Sequence, residues 1–85
     1  MEYRVGQLVR SKAGRDKGVD FVVVKSDNGY VYVADGRMRK LENPKKKKIK
    51  HIQGSYKVSD SLAELIESGS AENYMIREFL THHNS

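Results

Sequence analysis

The sequence predicts a mainly β fold, a strongly bent five-stranded small barrel with two short C-terminal helices packed on it. Three observations carry that expectation. Short apolar runs separated by Gly, Asn and Asp turn signals recur between residues 5 and 53, the spacing of a small antiparallel barrel. Beyond residue 60 the apolar residues change to helical spacing behind a serine cap signal. At 85 residues the chain suffices for one domain and one core. We divide it into a barrel over 1–54 and a helical extension of the same domain over 55–85.

The first strand is expected over 5–10, followed by Gly14-Arg15-Asp16-Lys17-Gly18. Two glycines four apart let a tight loop take positive backbone angles, with charged side chains on its rim. Phe21-Val22-Val23-Val24 belongs to the second strand, over 21–25, closed by the hairpin-turn cluster Asp27-Asn28-Gly29. The third, Tyr30-Val31-Tyr32-Val33-Ala34, stops at Asp35-Gly36, a type I′ turn signal. A loosely alternating fourth strand over 37–42 stops at Asn43-Pro44, and a very basic fifth occupies 47–53.

The second and third strands are apolar on both faces, whereas a small barrel has one interior, so something must cover their outside. The tail is the expected cover. Ser61-Leu62-Ala63-Glu64 has capping-box spacing, Leu62, Leu65 and Ile66 form one stripe, and Gly69 stops the helix. Ser70 is a candidate cap for a second helix carrying Tyr74, Met75, Ile76, Phe79 and Leu80. Both helices fall within 60–81.

Charge is unevenly spread. Residues 1–54 hold fourteen Lys/Arg against six Asp/Glu, a net +8, while 55–85 hold two against five, a net −3. A polyanion partner for the basic part follows, with a different job for the tail. The chain contains no cysteine, which excludes disulfides, thiolate metal sites and a cysteine nucleophile. Nothing reads as a signal peptide, and no apolar run nears the roughly 18 residues that span a bilayer. A cytoplasmic protein with no membrane partner is expected.

Val5-Gly6-Gln7-Leu8-Val9, the Gly14–Gly18 loop and the apolar run at 21–24 resemble the KOW motif of large-subunit ribosomal proteins and NusG-type transcription factors. Val33-Ala34-Asp35-Gly36, then Arg37-Met38-Arg39-Lys40-Leu41 and Pro44-Lys45-Lys46-Lys47-Lys48, extend the likeness to small bacterial KOW-domain proteins. The resemblance covers residues 3–53 and stops short of the tail. It implies an SH3-like small barrel that binds RNA through its loops, often ribosomal RNA, as part of a ribonucleoprotein or the translation machinery.

The residues point the same way independently, because lysines and arginines that neutralise phosphates release counterions. The candidate RNA-binding residues are Arg15 and Lys17 on the glycine loop, and Arg37, Arg39 and Lys40 after the Asp35-Gly36 turn. Lys45, Lys46, Lys47, Lys48, Lys50 and His51 complete the set. If the barrel gathers these loops, they form one basic face. Gly14 and Gly18 shape the loop, and that backbone role coexists with phosphate binding. Lysines also protect edge strands, but four in a row plus Lys50 exceed that need. Tyr30 and Tyr32 share one strand face, either beneath the helices or toward RNA bases. Burial beneath the helices is the expectation, since large aromatics dominate cores.

No catalytic spacing of His, Ser and acids stands out, so a non-enzyme without cofactor or metal is expected. Asp16, Asp27 and Asp35 read as turn residues, and His82-His83 as the end of a fraying chain. The alternative function is a protein-interaction adaptor whose partner docks on the amphipathic acidic tail. Exposure of Leu62, Leu65, Ile66, Ile76, Phe79 and Leu80 would favour it, and burial would argue against it.

Overall fold

The computed structural model describes residues 3–83. Five strands, β1 (Gln7–Ser11), β2 (Asp20–Asp27), β3 (Tyr30–Ala34), β4 (Lys45–Lys48) and β5 (Ile52–Val58), precede helices α1 (Asp60–Glu67) and α2 (Asn73–His83). A 3₁₀ turn at Ile49–His51 separates β4 from β5. The sheet is antiparallel throughout, in the order β4-β3-β2-β1-β5. The barrel expected from the turn spacing is therefore not closed by hydrogen bonds, and β4 and β5 are its two edges. The turn at Ile49–His51 carries the chain across, so β5 pairs with β1 and not with β4.

Strand placement departs from expectation in the second half. Residues 37–42 form no strand. The Asp35 carboxylate accepts hydrogen bonds from the Arg37 and Arg39 amides at 2.9 and 2.8 Å, which captures donors that a ladder would need. The lysine run is itself β4, and β5 begins five residues later than the basic strand expected at 47–53. It continues to Val58, so the expected boundary after residue 54 falls inside a strand. Neither Asp27-Asn28-Gly29 nor Asp35-Gly36 makes a type I′ turn. That turn requires two positive φ angles, and among the described residues only glycines have one.

Two clusters hold the sheet. Val9, Phe21, Val23, Val31, Val33 and Ile52 fill one side with Tyr3. On the opposite side Leu8 and Val22 meet Leu62, Ile76 and Leu80 from the helices. The all-apolar run at 21–24 is thereby explained, since Phe21 and Val23 serve the interior while Val22 serves the helices. A bulge at Val24 then reverses the alternation, because Val23 pairs with Val33 but Lys25 pairs with Tyr32.

The helices begin elsewhere than the cap signals indicate. Ser59, not Ser61, caps α1, accepting from the Leu62 amide at 3.1 Å, and α2 starts at Asn73, three residues beyond Ser70. Gly69 does end α1, with the Ser70 amide bonded back to Leu65 at 2.8 Å. No helix among the described residues is long and apolar enough to cross a membrane.

Candidate nucleic-acid interface

The glycine loop is shaped by φ values of +86° at Gly14 and +89° at Gly18, a region in which side-chain-bearing residues are strained. Its amides close on themselves: Gly18 donates to Ser11 at 2.9 Å and Lys17 to Gly14 at 3.2 Å. Arg15 and Lys17 are consequently exposed on the rim, while Asp16 turns inward.

Asp16 is more than a turn residue. Its carboxylate accepts from Ser11 Oγ and Lys47 Nζ, both at 2.7 Å, and from Lys45 Nζ at 2.9 Å. Partial burial acts to raise the carboxyl's pKa, but the hydrogen bonds from Lys47, Ser11 and Lys45 outweigh it and hold the group well below the usual carboxylate range. Lys47 is only 7% exposed, and its ammonium completes its bonding with Ser11 Oγ at 2.8 Å and the Ala13 carbonyl at 3.1 Å.

Strand alternation explains why the four lysines divide. Lys45 and Lys47 lie opposite Val33 and Val31 on the inner face, and Lys46 and Lys48 lie opposite Tyr32 and Tyr30 on the outer face. Lys45 and Lys47 tie β4 to the glycine loop, leaving Lys46 and Lys48 exposed. Ala13, Gly14, Tyr30, the four lysines and His51 line one open depression between loop and strand. Lys50 is exposed on the adjoining 3₁₀ turn.

The other basic segment lies elsewhere. Arg37 borders a separate depression against α2, with Tyr74, Arg77 and His82, and the two depressions share no lining residue. The loop is docked there: Arg77 donates to the Gly36 carbonyl at 2.8 Å, and Asn73 Oδ1 accepts from the Leu41 amide at 2.8 Å. Arg39 is half-buried and Lys40 exposed on the same loop. Arg37 thus borders a different depression from the one the four lysines line.

Tyr30 and Tyr32 are not under the helices. They are half-buried on the outer face of β3, with Lys46 Nζ 4.3 Å from the Tyr30 ring centroid and Lys25 Nζ 5.3 Å from that of Tyr32. Helices of 8 and 11 residues reach only about 12 and 16 Å, and they cover the Leu8 and Val22 end of the sheet. Simple alternation from Phe21 and Val23 points Lys25 inward, and only the bulge reverses it. Lys12 adds a further cation that no turn or strand signal marks. It is exposed beside the depression, its amide donating to the His51 carbonyl at 2.8 Å.

Other acids of the sheet have structural partners. Asp20, buried, receives Arg10 Nε at 2.7 Å and its Nη2 at 3.1 Å. Among the described residues no three His, Cys, Asp or Glu side chains gather as a metal site would require. No protein-family model matches the sequence, and no curated protein matches it.

Proposed function

We propose that the chain is a non-catalytic RNA-binding module of the KOW type, an SH3-like small barrel associated with ribosomal RNA or the ribosome. The observation that carries this reading is the lysine-lined depression between the glycine loop and β4, in a chain whose residues 1–54 carry a net +8. A meander whose last strand returns to pair with its first supports the SH3-like part. Lys46, Lys48, Lys50 and Lys12 face solvent there, and Arg15 and Lys17 extend the charge along the loop rim. Affinity comes from phosphate neutralisation and is steeply salt-dependent. Lys45 and Lys47 contribute by holding the loop against β4.

The test is a salt titration of binding to structured RNA. Replacing Lys46 and Lys48 together with alanine weakens binding to all sequences alike. It also flattens the slope of log affinity against log salt by about 1.4–1.8, the loss of two phosphate contacts. Unchanged affinity and slope would sink the site. Competition with duplex DNA at fixed salt separates RNA from DNA preference, and co-sedimentation with ribosomal subunits tests the ribosomal association.

The adaptor reading has weaker support. Leu62, Ile76 and Leu80 are buried against the sheet, which removes three of its six anchors. Leu65 and Phe79, with Met75 and Tyr74, still line an open depression between the helices.

A further inference from the structure

We infer that the outer face of β3 and β4, where Tyr30 and Tyr32 lie among Lys25, Lys46 and Lys48, is a stacking platform for unpaired nucleotides of RNA. The inference rests on the RNA-binding reading above and specifies the form of RNA this face takes.

Register builds the platform. Lys25, Tyr32 and Lys46 sit opposite one another across three strands, and Asp27, Tyr30 and Lys48 form the next row. The tyrosines are two residues apart on one face, about 6.6 Å along the strand, so two splayed bases can each find a ring. The helices cover Leu8, Val22 and the Gly36 end of β3, and Tyr30 and Tyr32 beyond that end remain partly exposed. Its charge suits a polyanion, with three lysines against Asp27.

The lysines show how the rings are presented. Lys46 and Lys25 approach ring faces, so those faces are reachable by a ligand. An exposed cation–π contact corresponds to a factor of roughly 2–5 in affinity. Stacking of one base on an aromatic ring corresponds to roughly 5- to 150-fold. A base therefore displaces the ammonium, which is released beside the phosphate of the incoming nucleotide. Every base has a π-face, so the platform is tolerant of sequence. Duplex RNA keeps its bases stacked inside the helix and cannot use it.

The experiment measures fluorescence anisotropy of the full chain with three labelled probes: oligouridylate, the same backbone with abasic sites, and a blunt RNA duplex. Intact oligouridylate binds at least about tenfold more tightly than its abasic counterpart. Y30A/Y32A removes most of that difference and lowers oligouridylate affinity far more than duplex affinity, while Y30F/Y32F retains the preference. Y30L/Y32L keeps apolar bulk and serves if the alanine variant unfolds, and the abasic probe needs no protein variant. Equal binding of intact and abasic probes, or equal losses on oligouridylate and duplex, overturns the platform alone. A chain that binds none of the three probes overturns the RNA-binding reading itself.

Discussion

Lys47 Nζ lies 2.7 Å from Asp16 Oδ1, joining an edge strand to a loop 31 positions earlier in the chain. The hydrogen-bonded ladder leaves β4 as an edge, yet this pair draws that edge against the end of β1. It also fixes the glycine loop, so Arg15 and Lys17 project from a tethered support.

Removal of Asp16 is expected to cost far more than an ordinary surface change. The side chains of Lys47 and Asp16 are 6% and 15% exposed, so Asp16→Ala leaves a buried ammonium without its anion. Destabilisation of about 3 kcal/mol is expected, at the low end for breaking a buried pair because Ser11 and Ala13 still accept from Lys47. Lys47→Met should cost less than half as much, since Asp16 keeps Lys45 and Ser11. Urea denaturation measures both, and equal costs would contradict the asymmetry.

Acid should weaken the fold through the same group. The folded state depresses the Asp16 pKa, so just below the unfolded carboxylate value of about 3.9 the unfolded chain binds more protons. Stability is therefore present above that value and lost as pH falls toward the depressed one. Asp16→Asn removes this contribution. Urea midpoints between roughly pH 5 and pH 2 should fall less steeply for the variant than for the parent, and parallel curves would count against the linkage.

Gly18→Ala should destabilise the loop by conformation alone. A Cβ there meets nothing within 4 Å, but φ is +89°, and the left-handed region costs a side-chain-bearing residue about 1–2 kcal/mol. A loss of roughly 4–8 °C in Tm per kcal/mol is expected for a chain of this size, with Gly18→Asn milder. An unchanged Tm would show that the loop relaxes freely.

The helical tail should prove integral to the fold. Ile76 is fully buried between α2 and the sheet, so Ile76→Ala should cost about 2–5 kcal/mol. Cooperative loss of sheet and helix signals in one thermal transition is the expected readout. A variant that melts the helices while the sheet persists would mean the tail is separable.

Arg37→Ala should leave RNA affinity within about twofold, while Lys48→Ala lowers it and flattens the salt slope by about 0.7–0.9. Arg37 faces the α2 depression rather than the lysine depression. Equal effects of the two substitutions on a salt titration would mean that one RNA spans both depressions.

Much of the architecture was legible because its signals are local. The strand Tyr30–Ala34 sits where its alternation puts it, Gly14 and Gly18 take the expected positive angles, and two helices follow with Gly69 ending the first. The misplacements arose where a side chain competed with the backbone pattern. Asp35 captured two amides and cancelled the strand expected at 37–42, while Ser59 outcompeted Ser61 as the cap.

By itself the sequence determined a mainly β chain, its glycine loop, its helical tail and the concentration of positive charge before residue 55. These depend on residue type and short spacing, which act within a few positions. Tertiary structure alone decided which lysines are free. A bulge at Val24 turned Lys25 outward, and the inner face of β4 drew Lys47 onto Asp16. The short helices then left Tyr30 and Tyr32 partly exposed. Register, burial and ion pairing across 31 residues depend on how the sheet curls, and no local pattern encodes that.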